Sequence, residues 1–349
     1  MRLLTRAALL TLLALGATFL LDPYRNYQLA TVTGVFVAVA GLTLLVGLTG
    51  QLSLGHAVLM AAGGYGYALT ATRVESGIEG TPVADGAGGW LLPLLAGVAG
   101  ALVTAGLLGL LLGLAAARLR GPYLAGLTLA LVIALPSVAS SVPGLAGEQG
   151  VRAPFVPVPD VLAALIATEQ WHAWLAILVA ACAVTPLVAL RAGRAGLRMR
   201  AVHDDETAAR LAGVDPGRVK AGAFVLSSLA AGLGGVVLAI VTQQVSPGAY
   251  GLGFSLLLVV AAVVGGLGSL GGAALGAVLV TLLPWVVDQA TTALPADLGH
   301  RLAGNLEIAL FGVVVIAVTV LRPGGLAGLF PGRKHVPEQV PGTEQVPGT

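Results

Sequence analysis

The sequence predicts an all-α, polytopic membrane protein: a transmembrane helical bundle of eight to ten membrane segments, some of them discontinuous or re-entrant. Three observations carry this expectation. Of 349 residues, 57% are hydrophobic and only 10% charged, too little charge to cover the surface of a water-soluble domain of that length. The apolar residues gather in runs of about 20, the length a helix needs to cross the hydrocarbon core of a bilayer. The charged residues fall between those runs, and the basic ones favour alternate loops. Fifty glycines accompany this pattern. Within apolar runs they read as small residues that let membrane helices approach closely. The single cysteine, Cys182, lies in an apolar run, so it offers no disulfide within the chain and indicates no redox compartment.

Taken in order, the candidate segments are 3–21, 28–49, 56–72, 90–117, 122–142, 171–190, 221–242, 255–267, 270–287 and 303–321. The first has the outline of a secretory signal, with Arg2 and Arg6 ahead of an apolar run. Its end, Ala17-Thr-Phe-Leu-Leu-Asp22, is a poor cleavage site, so an uncleaved first span is expected. Segments 56–72 and 255–267 are short, which marks them as the discontinuous or re-entrant candidates. Stretches 73–89 and 143–170 are hydrophilic and net acidic. The end, 331–349, holds Glu-Gln-Val-Pro-Gly-Thr twice in succession; it lacks apolar periodicity and is expected to be a disordered tail after a transmembrane domain of 1–330. A loose internal echo links Val46-Gly-Leu-Thr-Gly50 to Val264-Gly-Gly-Leu-Gly268, a pattern that glycine-rich segments also produce by chance.

Charge fixes the expected sidedness. With the N-terminus inside and every segment crossing, 14 of the 18 Lys and Arg residues fall on one side, and only Arg25, Arg73, Arg152 and Arg301 on the other. This is the asymmetry of cytoplasmic loops, and it places both termini in the cytoplasm.

The longest cytoplasmic loop, 191–220, is the most informative region. Asp204 or Asp205 is a natural N-cap for a short helix over Glu206, Thr207, Ala208, Ala209, Arg210, Leu211 and Ala212. Gly213 supplies a left-handed stop. Asp215-Pro216 opens a further helix that runs into the next span. A stub with small residues on part of its surface and charge on the rest suits either a groove on a partner protein or a solvated connector.

These residues resemble the Glu-Ala-Ala…Gly loop of bacterial ABC importer permeases, and more narrowly the branched-chain amino acid permease family of leucine, isoleucine and valine importers. Four segments carry the resemblance: Gly50-Gln-Leu-Ser-Leu-Gly-His-Ala57 with Gly63 beyond it, Arg118-Leu-Arg-Gly-Pro-Tyr-Leu124 with Thr128-Leu-Ala130, the loop 197–220, and Gly265-Gly-Leu-Gly-Ser-Leu-Gly-Gly272. Together they span most of 30–320. Thr207 departs from the general importer loop, although the branched-chain branch commonly shows this Glu-x-Ala-Ala form. The resemblance implies a multi-pass subunit of the bacterial inner membrane. It also implies two ABC ATPase subunits, a second homologous permease subunit and an extracytoplasmic solute-binding protein as partners. In that family the loop forms the coupling helix, here Asp204, Asp205, Glu206, Ala208, Ala209 and Gly213. No cofactor, metal or nucleic-acid partner is expected. The chain has no Gly-x4-Gly-Lys-Ser/Thr phosphate loop, since Lys220 precedes alanine and Lys334 precedes histidine. The energy of transport would therefore enter through other subunits.

Within the membrane, Gln51, Ser53, Gly55, His56 and Gly63 form the candidate translocation path, a discontinuous and polar-lined segment. Helix N-terminal N–H groups there suit a carboxylate and freed carbonyls suit an amine. The alternative for these glycines, and for the run 265–272, is close helix packing. Glu307 and Asn305 near the outer end of the last span read as capping or snorkelled groups, while Asp288, Asp297 and Arg301 are assigned to an external loop. A carrier or channel driven by an ion gradient is the alternative class, and the scarcity of ionisable groups at mid-membrane argues against it. A membrane-embedded enzyme finds no support: no metal-ligand spacing and no nucleophile–base arrangement is present.

Overall fold

The structure, a computed structural model, describes residues 2–84, 86–119, 122–292, 312–313, 316–318, 320–321 and 324–329. Most of the expected last span 303–321, with Asn305 and Glu307, lies outside the described residues, as do Arg120, Asp297, Arg301 and the tail 331–349. The helices are α1 (Arg2–Ala17), α2 (Pro23–Thr49), α3 (His56–Ile78), α4 (Gly88–Arg118), α5 (Pro122–Ser141), α6 (Asp160–Ala163), α7 (Thr168–Ala192), α8 (Arg194–Asp204), α9 (Glu206–Leu211), α10 (Pro216–Thr242), α11 (Leu252–Gly265) and α12 (Leu270–Thr292). The one sheet among the described residues is a two-stranded antiparallel pair, β1 (Val151–Arg152) with β2 (Gln244–Val245). Among the described residues, seven segments are long and apolar enough to cross a membrane. The molecule is the all-α, multi-pass bundle that the composition predicts.

Local chemistry explains where the long helices begin and end. The Asp22 carboxylate accepts the Arg25 N–H at 2.9 Å and Pro23 takes the first position of α2, where its missing N–H costs nothing. Gly50, at φ +67°, stops the same helix in the left-handed conformation. Asp215 and Pro216 repeat the starting device at α10, with Asp215 accepting from Gly217 N at 2.9 Å and Arg218 N at 3.3 Å.

Helix α10 is the axis of the bundle. It runs antiparallel to α2, with Gly34 beside Val237 and Gly41 beside Ser227 and Ala230. It runs parallel to α3, with His56 beside Ser227 and Met60 beside Gly235, and antiparallel to α4, with Gly113 beside Ala221 and Gly109 beside Ser228. Thus α2 and α3, though consecutive, hardly touch: α10 is wedged between them. The apolar stretches of α2 and α10 are 78% and 72% buried, against 22% for α5, so the first two are core and α5 presents most of its surface outward. Gly63 meets Gly232 backbone to backbone, and Gly235 meets the Met60 carbonyl. Without a hydrophobic drive between helices in lipid, such close backbone approach is the main source of cohesion.

Several expected segments change on folding. The segment expected to be short, 56–72, is a 23-residue helix. Its last turns carry Arg73, Glu75 and Ser76, so the helix outlasts the apolar run; backbone hydrogen bonding does not need apolar side chains. The other short segment is extended at its start: a single 3-10 turn, Pro247–Tyr250, leads into the 14-residue α11, and together, as Pro247–Gly265, they are one of the segments long enough to cross. Asp288 belongs to α12, which continues to Thr292, and not to an external loop. The hydrophilic stretch 143–170 is anchored rather than free. It pairs Val151 with Val245 and Arg152 with Gln244 and buries Ala153 and Val156.

Candidate coupling loop and translocation path

The helix break at 50–55 is built from polar links to three other helices. The Leu54 N–H donates to Thr128 Oγ1 of α5 at 3.0 Å, and the Ser255 hydroxyl of α11 donates to the Leu54 carbonyl. His56, completely buried, holds Ser53 Oγ through Nδ1 at 3.1 Å and Ser227 Oγ of α10 through Nε2 at 2.7 Å. A neutral imidazole donates from one ring nitrogen and accepts at the other, and a serine hydroxyl satisfies either. The knot is therefore fully bonded without a charged group. Gln51 differs: it is 5% exposed and neither amide atom has a partner. A buried primary amide without protein partners is costly unless water reaches it, and the cavity that Gln51 lines is roomy enough to hold water.

Five residues of the candidate path do not behave alike. Gln51 lines a cavity of about 460 Å³. Ser53 and His56 form the knot beside it. Gly55 packs against the Thr128 backbone, and Gly63, well into α3, packs against Gly232; neither lines the cavity. The turn joining α11 to α12 lands on the same end of the bundle. Gly268, at φ +73°, donates its N–H to the Thr43 carbonyl of α2 at 3.0 Å and abuts Gly47. The two glycine-rich segments that echo each other in sequence are thus in contact.

The loop after α7 folds as two helices, not one. Residues Arg194–Asp204 form an additional helix, α8. Asp204 ends it, and Asp205 caps α9, accepting from Thr207 N at 2.7 Å and Ala208 N at 3.1 Å. Gly213, at φ +80°, makes the left-handed stop, and the Val214 N–H returns to the Ala209 carbonyl at 2.9 Å. Ala209 is buried beneath the short helix, whereas Ala208 is exposed and Leu211 is 87% exposed. A six-residue helix has no stability of its own, so its cap matters. Replacing Asp205 with alanine should cost about 1 kcal/mol and speed amide hydrogen exchange across 206–211 roughly fivefold. Unchanged exchange in that segment would show that packing alone holds it.

Glu206 is not free. It pairs with Lys220 of α10, whose side chain is only 10% exposed, and more distantly, at 3.9 Å, with the exposed Arg210. His203, Asp204, Asp205, Glu206 and Lys220 line the same cavity as Thr49, Gly50 and Gln51, and Gly50 lies against the His203 ring. Three of the coupling-loop candidates, Asp204, Asp205 and Glu206, therefore share one polar chamber with the helix break, whereas Ala208, Ala209 and Gly213 do not line it. Lys220 and Ser227 were not singled out from sequence. A serine pair, Ser227-Ser228, inside an apolar span was a readable signal, while Lys220 looked like one more basic loop residue.

The site thus belongs to an α-helical, multi-pass membrane protein with a helix break beside a polar chamber and a capped helical stub at one end. The family model described as "Branched-chain amino acid transport system / permease component" matches residues 26–321, and the chain belongs to that family. Two curated relatives show how far the likeness extends. The "High-affinity branched-chain amino acid transport system permease protein LivM" of Salmonella typhimurium is 28% identical over 327 residues, covering 86% of this chain and 69% of the relative. The protein of the same description from Escherichia coli is 27% identical over 329 residues, with the same coverage. No solved structure matched.

Proposed function

We propose that this chain is a membrane-spanning permease subunit of a binding-protein-dependent ABC importer of the bacterial inner membrane. Its solutes are branched-chain amino acids or related small polar molecules such as urea or amides. It works by alternating access, driven by two separate ATPase subunits, beside a second homologous permease and with an extracytoplasmic binding protein delivering the solute. Both termini and the 191–220 loop face the cytoplasm. The observation that carries this reading is the position of α9: a capped stub, with Leu211 exposed at its outer side, seated on the same chamber as the buried, unpartnered amide of Gln51. Movement of α9 by a partner has a direct route to the helix break.

Two measurements test it. With Cys182 replaced by alanine and Leu211 by cysteine, an impermeant maleimide should label inverted membrane vesicles and spare right-side-out ones; the reverse pattern removes the cytoplasmic assignment. Changing Leu211 to glutamate should release the ATPase subunits during purification and abolish ATP-dependent uptake. Uptake that survives ATP depletion and collapses with an uncoupler would instead establish an ion-driven carrier.

A further inference from the structure

Helix α9 follows α8 directly and joins the start of α10 by a short connection, 212–215, held by its own backbone bonds, Gly213 N–H to the Arg210 carbonyl and Val214 N–H to the Ala209 carbonyl, both at 2.9 Å, with no side chain packed on the glycine. Gly213 sits at φ +80° with nothing within 4 Å of the position a Cβ would take. A stub pushed by a partner passes force to α10 only through that local turn unless a side chain spans it, and the turn is the swivel on which the stub can rotate. The Glu206–Lys220 pair spans the swivel from the first turn of α9 to a largely buried cation on α10. A pair with one largely buried member, Lys220 at 10% and Glu206 at 31% exposed, resists separation more than a fully exposed one; the second partner of Glu206, Arg210, has a side chain 57% exposed and adds little. Lys220 lies seven residues before Ser227, two helical turns and about 10 Å along one face of α10. Ser227 holds His56, and His56 holds Ser53 at the helix break.

We infer that Lys220 is a positioning residue that braces α9 to α10, so that displacement of the stub is delivered through α10 to the Ser227–His56–Ser53 knot and opens or closes the break at 50–55. This rests on the coupling role proposed above and assigns Glu206 to an internal brace rather than to the surface of the ATPase. The intervening stretch of α10 contains no proline and begins from a capped, proline-led first turn, so it moves as one rigid piece. The links act in series: breaking either end disconnects the stub from the knot.

The test uses the complete transporter in proteoliposomes, with solute moved per ATP hydrolysed as the readout. Glu206→Gln and Lys220→Met should each lower that ratio about tenfold, within the usual range of coupling between sites, while the ATPases still co-purify. Lys220→Arg should keep the ratio within about twofold, since a guanidinium also pairs with a carboxylate. Arg210→Ala should leave it unchanged. Combining Lys220→Met with Ser227→Ala should be no worse than the more damaging single change, because residues acting as one unit are non-additive. A normal ratio in Glu206→Gln, which keeps the side-chain volume and so folds, overturns the brace. So does a double variant whose loss is the product of the single losses, or loss of the ATPases from either single variant. If Leu211→Glu retains ATPases and coupling, the coupling role itself fails; if it releases them while Lys220→Met is normal, only the brace fails.

Discussion

Replacing Gly235 with leucine is expected to eliminate folded permease from the membrane. The Cβ that glycine lacks would fall onto the Met60 carbonyl of α3, with the Met60 carbonyl carbon at 2.8 Å and the Gly64 nitrogen at 3.0 Å. These neighbours are backbone, so no side chain can turn aside. The two helices must separate, and α3 then loses both its seat on the bundle axis and the His56–Ser227 bond. Overpacking a tight interior costs about 1–3 kcal/mol where side chains can adjust, and a backbone collision exceeds that. Size-exclusion profiles in mild detergent should show aggregated or absent protein, and alanine at the same position should lower the thermal midpoint markedly. Gly222, on the same helix, is the control. It is exposed with nothing within 4 Å, so Gly222→Ala should be neutral or stabilise by up to about 1 kcal/mol through helix propensity. Equal effects at the two positions would mean that α3 and α10 do not pack through these glycines.

His56→Leu should be the most damaging single change at the helix break. The leucine is close in size but makes no hydrogen bond, so Ser53 loses a partner and Ser227 loses its link to α3. Each hydroxyl left buried and unsatisfied costs about 1–3 kcal/mol. The variant should melt at a clearly lower temperature and lose most ATP-driven uptake. Ser227→Ala removes one link and leaves His56 bonded to Ser53, so it should be milder. The double variant His56→Leu/Ser227→Ala pairs two apolar groups. It should therefore recover the part of the stability lost at Ser227, because both ends of that bond are then apolar and only Ser53 is left short of a partner. Simple addition of the two losses would show that the 2.7 Å contact contributes nothing.

The glycines show how far the sequence could be read. That they serve close packing in an apolar chain was legible from their number and setting. Which glycine faces which was not, because a pairing such as Gly63 with Gly232 or Gly47 with Gly268 joins residues far apart in the chain. The break at 50–55 was legible as a polar, glycine-bounded interruption. Its partners Thr128, Ser227 and Ser255 come from three separate helices, and no local pattern announces them. Segment 56–72 was read short because hydropathy reports the environment of side chains and not the persistence of backbone hydrogen bonds.

Local chemistry written in the chain determined the membrane class, the helix starts at Asp22, Asp205 and Asp215, the stops at Gly50 and Gly213, and the stub in the long loop. Each depends on residues within a few positions of one another. Only the tertiary structure decided that α10 lies between α2 and α3, that Ala209 turns inward while Leu211 turns out, and that Lys220 closes on Glu206. Those outcomes depend on how helices pack side by side in a medium that offers no hydrophobic guidance between them, where fit between distant backbones selects the neighbours.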